Sequence, residues 1–201
     1  MAKRELTRIL LLIPVSVFLA SAGCSSKTDS TPAAAAAGES STASSAATDL
    51  SKVQVPDACA FIPREELEAA VGWQLREGEA KDASPGFYSC DFTMPPGMSR
   101  TKSFPNPPIP ESAGFGSLIV NTNPVTESGF AETRRLIGAK DEDVQGVGDA
   151  AYFNGPDMIY VRVGNKGFSI RIYADAQADS DKAKVREALL SLAKLGVTKL
   201  G

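Results

Sequence analysis

The chain has 201 residues, 43% of them hydrophobic and 22% charged, a composition ordinary for a globular protein and a length suited to one or two domains. Its formal net charge is −3; Lys3, Arg4 and Arg8 against Glu5 leave residues 24–201 at −5, which argues against a nucleic-acid partner, because binding phosphates needs a basic surface. Histidine is absent, which excludes Ser-His-Asp and Cys-His catalysis, histidine-ligated zinc and histidine pH switching.

The N-terminus reads as an export signal over residues 1–23. Lys3, Arg4 and Arg8 form a basic start, and Ile9 to Ala22 is a mostly apolar stretch shorter than the ~20 residues a membrane span needs. Two cleavage readings compete. Ala20-Ser21-Ala22 is an A-x-A site for an ordinary signal peptidase. Ser21-Ala22-Gly23-Cys24 resembles the lipobox of bacterial lipoproteins, in which the cysteine receives a diacylglycerol and becomes the mature N-terminus; Ser21 stands where leucine is usual. The lipoprotein reading is preferred, since an exported chain has little use for a lone thiol beside a polar tail and lipidation removes it from redox chemistry. Two or three acyl chains, at about 0.8 kcal/mol per buried CH₂, would then hold the protein on a membrane of the cell envelope.

Residues 24–52 are rich in Ala, Ser and Thr, and Leu50 is their one large apolar residue. Such a segment buries too little surface to offset the entropy of ordering and reads as a disordered tether, about 30 Å in r.m.s. length. A single domain is expected over residues 53–201. It holds Cys59 and Cys90, which in an exported protein most simply form a disulfide joining the segment before the first helix to a strand.

"FIPREELEAAVG" predicts that first helix, with Pro63 at its first position, Glu65 and Glu66 at the positive end of its dipole and Gly72 past its end. The Glu65, Glu66 and Glu68 cluster is read as a solvated face. Strands are expected over Trp73–Ala80 and Phe87–Met94, the second alternating so that Cys90 faces inward. "PPGMSRTKSFPNPPIP" then brings six prolines and predicts a long loop; Arg100, Lys102 and Phe104 would give a binding loop a basic, aromatic tip, but a passive connector is the simpler reading. Residues 116–123 predict a strand ended by Pro124, and Thr126–Ile137 a helix capped by Thr126 or Ser128 and stopped by Gly138.

"VQGVGDAAYFN" predicts a turn and a strand, and "MIYVRVGNKGFSIRIYA" a hairpin around Gly164-Asn165-Lys166-Gly167. That four-residue turn sets Val163 opposite Phe168, Val161 opposite Ile170 and Ile159 opposite Ile172, an apolar face. The opposite face carries Tyr160, Arg162, Arg171 and Tyr173, with Tyr160 opposite Arg171; it is the candidate binding face, since aromatic and arginine side chains suit ligand and protein contacts. "DSDKAKVREALLSLAKLG" predicts an amphipathic helix with Asp179 or Ser180 as cap, Gly196 as stop and a Val185, Ala188, Leu189, Leu192, Leu195 stripe covering the apolar sheet face. The order α-β-β-β-α-β-β-β-α makes the domain α+β, an antiparallel sheet with helices packed on one face. The two αβββ stretches suggest duplicated halves, although no residue-level repeat is visible.

Two segments resemble a family of small actinobacterial envelope lipoproteins whose domain has no assigned function. That family carries a lipobox, a low-complexity linker and an Asp-Pro-Cys-Ala-Leu-Leu start leading into a helix, which here reads Asp57-Ala58-Cys59-Ala60-Phe61-Ile62 with Pro56 before the aspartate. A later Gly-Leu-Gly-Asp-Ala-Ala-aromatic stretch is matched by Gly146-Val147-Gly148-Asp149-Ala150-Ala151-Tyr152. The resemblance implies an envelope location and a second domain cysteine, and no activity.

The expected function is a non-catalytic, lipid-anchored binding or interaction module. Its partners would be the membrane, through Cys24, and an envelope protein or small ligand. No cofactor and no metal site are expected: Asp175, Asp179 and Asp181 lack the glycine and glutamate of a calcium loop, and Asp141, Glu142 and Asp143 read as a solvated loop. The alternative is a histidine-independent enzyme using carboxylates or a Ser-Lys pair, which no spacing supports.

Overall fold

A computed structural model describes residues 48–81, 84, 86–96, 108–137, 142–176 and 178–201. The export signal, Cys24, almost all of the expected tether, and Arg100, Lys102 and Phe104 in the proline-rich loop lie outside the described residues. The first described element is a 3₁₀ turn at Leu50–Lys52, capped by the Asp49 carboxylate, whose pKa is lowered chiefly by its hydrogen bond from the Ser51 hydroxyl.

Two helices open the domain, α1 (Ala58–Phe61) and α2 (Arg64–Val71). The single-turn α1 was not foreseen. It forms because Asp57 Oδ1 accepts from the N–H groups of Cys59 (2.8 Å) and Ala60 (3.2 Å), satisfying donors that a helix start leaves orphaned. Cys59 therefore sits within a helix rather than before the first one. In α2, Pro63 is the cap residue and not the first helical one, and Gly72 ends the helix in the left-handed region at φ 76°.

Six strands follow in one fully antiparallel sheet: β1 (Glu79–Lys81), β2 (Tyr88–Thr93), β3 (Phe115–Pro124), β4 (Ala150–Asn154), β5 (Met158–Val163) and β6 (Lys166–Ala174). Their spatial order is β1-β2-β3-β6-β5-β4, so two three-stranded meanders meet at the long β3–β6 pairing. Only the end of the expected Trp73–Ala80 strand pairs. Upstream of it, Trp73 and Leu75 are buried, Leu75 donates its N–H to Glu68 Oε1 (2.9 Å), which ties the segment to α2, and Arg76 donates its N–H to the Thr93 carbonyl of β2 (2.7 Å). Helix α3 (Glu127–Ile137) separates the meanders and α4 (Asp179–Leu200) ends the chain.

The β5–β6 hairpin forms, but its register differs from the expected one by two residues: Val163 pairs with Lys166, Val161 with Phe168 and Ile159 with Ile170. The loop is the two-residue Gly164-Asn165, with Gly164 at φ 59°, a geometry that follows the strand twist where a four-residue turn would not. Because the slip is two and not one, every side chain keeps its face. Tyr160 consequently lies opposite Ser169, and Arg171 opposite Met158.

One sheet face builds the core. Cys90, Phe92, Leu118, Val120, Ile170 and Ile172 are all at most 2% exposed and lie under α1, α2 and α4. Thr122, fully buried on this face, donates its hydroxyl to the Pro56 carbonyl (2.6 Å) and satisfies itself. The Cys59–Cys90 disulfide is present, with S–S 2.02 Å, and staples α1 to β2. Helix α4 begins at Asp179 with Ala178 as its cap residue and no side-chain cap bond, so neither Asp179 nor Ser180 caps it. Gly196 is not its stop: the helix runs on to Leu200, and Gly196 is where the ring of Phe168 presses against it.

Candidate functional site

The opposite sheet face carries Tyr160, Arg162, Arg171 and Tyr173, as the alternation requires, together with Tyr152 on β4 and Asn121 on β3. Helices α1, α2 and α4 leave this face alone; α3 stands on it. Thr126 Oγ1 caps α3 by accepting from the Gly129 N–H (3.0 Å). The one buried side chain of the helix is Phe130, whose ring meets Tyr152 at 5.0 Å between centroids; Tyr152 in turn stacks on Tyr160 at 5.1 Å. Leu136 and Ile137, which the periodicity of α3 offers as further anchors, are exposed. The helix therefore buries a single aromatic side chain and leaves a cleft on each side of it, both lined by Phe130.

The first cleft, about 540 Å³, lies between α3 and the start of β4. Its floor is Phe130, Ala150, Ala151 and Tyr152, and its rim is charged. Arg134 pairs with Asp143 (2.7 Å) and its guanidinium lies 5.7 Å from the Tyr152 ring centre. Arg162, with only 13% of its side chain exposed, lies 3.7 Å from Asp149 Oδ2 and donates from Nη1 to the Gly164 carbonyl (3.0 Å). Its buried Nε meets no acceptor among the described residues. Asp149 Oδ2 also accepts from the Gly164 N–H (2.7 Å), so this carboxylate holds the hairpin loop. Arg135 pairs with Glu132 through two bonds of 2.8 and 2.6 Å, and that hydrogen-bonded guanidinium holds the Glu132 carboxyl below its ordinary range.

The Gly146–Tyr152 stretch singled out in the sequence builds one wall of this cleft. Gly148, at φ 60°, passes so close to β5 that a Cβ there would lie 2.6 Å from the Arg162 carbonyl oxygen. Only glycine allows the Asp149 N–H to reach that carbonyl (2.9 Å) and begin β4 alongside β5.

The second cleft, about 420 Å³, lies on the other side of Phe130, over the middle of the sheet. Phe87, Val125, Phe130, Met158 and Tyr160 wall it, and Asn121, Asn123 and Ser169 lie in its floor. Among the described residues no charged side chain lines it.

The four residues of the candidate face are thus not one site. Arg162 belongs to the charged cleft and Tyr160 to the neutral one. Arg171 and Tyr173 line neither: Arg171 Nε donates to Asp157 Oδ2 (3.0 Å) and its guanidinium covers the Tyr173 ring at 4.4 Å. Sequence reasoning puts Phe130 on one face of α3 with Ile137 but not at this site, and it missed Tyr152, Asn121 and Ser169 as site residues. Alternation along β3, β4 and β6 places the last three on this face, but no local pattern shows that α3 would settle there.

Among the described residues no group of three or more acidic or cysteine side chains could hold a metal ion, and no helix is long and apolar enough to cross a membrane. Comparison with family models, with curated proteins and with solved structures found no match to this chain.

Proposed function

We propose that this protein is a lipid-anchored lipoprotein of the cell envelope, acylated on Cys24, that works as a non-catalytic binding module. The lipobox-like Ser21-Ala22-Gly23-Cys24, the low-complexity tether and the resemblance to actinobacterial envelope lipoproteins support the location; the disulfide is in keeping with an oxidising compartment. One observation carries the binding role: Phe130 is the only buried side chain of α3, and clefts of small-molecule size lie on both sides of it. The carboxylates of the charged cleft favour binding over acid–base chemistry, since Asp143 and Asp149 are each engaged by an arginine.

Two measurements test the two halves. Intact mass of the mature N-terminal peptide should show a diacylglycerol thioether on Cys24, lost in Cys24→Ala; an unmodified chain beginning at Gly23 would overturn the anchor. Extracts of envelope small molecules and lipids should protect α3 and the facing strands from amide exchange. Extracts that change nothing there would overturn the binding role.

A further inference from the structure

The cleft over the middle of the sheet differs in chemistry from its neighbour, and that difference names a ligand. Every described residue lining it is uncharged. Phe87 and Tyr160 give it aromatic walls, Val125 and Met158 aliphatic ones, and Met158 is unbranched and adapts to irregular shapes. A charged ligand entering such a groove would lose hydration and meet no counter-charge, at a cost of several kcal/mol. An apolar body would gain from the same walls.

The floor is polar and built. Ser169 is 95% buried, beneath the cleft at the centre of β6. Its Oγ accepts from Asn121 Nδ2 (3.1 Å), which leaves the Ser169 O–H as a donor and Asn121 Oδ1 as an acceptor, paired with no described protein group. Val125 packs directly over Gly167, where a Cβ would lie 2.8 Å from Val125 Cγ1, so the aliphatic wall stands on the glycine. A donor on buried Ser169 beside an acceptor on half-buried Asn121, under apolar walls, matches a hydroxyl or amide carried by an otherwise apolar molecule.

We propose that this groove binds an uncharged amphiphile, its hydroxyl or amide head on Asn121 and Ser169 and its hydrocarbon or aromatic body between Phe87, Met158, Tyr160 and Phe130. The inference rests on the binding-module reading and makes it specific. Neutrality, and not chain length, is the selected property.

The test uses three probes of one chain length: 1-monodecanoylglycerol (neutral, hydroxyl head), decanoate (anionic) and decyltrimethylammonium (cationic). Each is titrated below its micellar concentration into the full chain while backbone amide chemical shifts are followed. Monodecanoylglycerol should shift the amides of Asn121, Tyr160, Phe168 and Ser169, and the two charged probes should bind there roughly tenfold more weakly or worse. Phe87→Ala, a change at an exposed side chain that leaves the core intact, should weaken the neutral probe about fivefold. Equal binding of decanoate, shifts confined to Ala150–Tyr152 and Arg162, or indifference to Phe87→Ala would each overturn the proposal. If all three probes fail while an envelope extract still protects α3 from exchange, this inference falls and the binding module stands. If the extract fails as well, both fall.

Discussion

Gly196 of α4 lies so close to Phe168 of β6 that a Cβ on the glycine would come 2.6 Å from Cζ of the ring. Behind Phe168 stands Phe61, edge-on at 5.1 Å, so the ring has no room to yield. Gly196→Ala should therefore destabilise the domain although alanine is the better helix former. The propensity gain is about 1 kcal/mol, while overpacking a rigid site costs about 1–3 kcal/mol. A net loss of up to about 2 kcal/mol in urea denaturation is expected, largely recovered when Phe168→Leu is added. A stabilised Gly196→Ala would mean that α4 does not seat on Phe168.

The disulfide closes a sequence separation of 31 residues. On the chain-entropy model a loop of that length contributes about 3.5–4 kcal/mol by restricting the unfolded chain. Cys59→Ala with Cys90→Ala should lower the urea midpoint accordingly, with little change in native far-UV circular dichroism. Gly78 passes over the bridge, and a Cβ there would lie 2.5 Å from Cys90 Sγ, so Gly78→Ala should destabilise oxidised protein as well.

Trp73 Nε1 donates to the Ile109 carbonyl across 3.0 Å, and both residues are buried. This bond, with Ile109 N–H to the Val71 carbonyl (3.3 Å), pins the end of the proline-rich loop to the end of α2. Trp73→Phe would leave that carbonyl buried and unpaired, at a cost of about 1–3 kcal/mol. Circular dichroism should report the loss. In the wild type the single tryptophan, stacked on Phe115, should emit in the blue and shift red only on global unfolding.

Phe130 is the only buried side chain of α3 among the described residues. A buried Phe→Ala change costs about 3–5 kcal/mol, more than a helix with one anchor can absorb locally. Phe130→Ala should therefore release α3 alone: amide exchange across Glu127–Ile137 should quicken roughly tenfold or more, with β3 and β6 amides unchanged. Uniform acceleration across the sheet would show instead that α3 is part of the global folding unit.

Most of the element order, the faces of the hairpin and the disulfide were legible because each follows from a local rule: alternation on β5 and β6, and two cysteines within one domain. What was not legible depended on contacts between distant segments. The hairpin closes through a two-residue loop with Gly164 at φ 59°, a register that alternation cannot reveal since both registers bury the same face. Gly196 read as a helix stop because glycine usually is one; only the ring of Phe168 explains it mid-helix. The candidate face was found through Tyr160, Arg162, Arg171 and Tyr173, yet the clefts on it are made by Phe130 and Tyr152, whose meeting no local pattern encodes.

The proposed function places the ligand on the sheet face beneath α3. Amide hydrogen exchange on the full chain, with and without a lipid and small-molecule extract of the envelope, tests it most directly. The account predicts protection of Glu127–Thr133, Met158–Val161 and Gly167–Ser169, with α4 and the core strand faces unaltered. Protection confined to α4, or none anywhere, would contradict it.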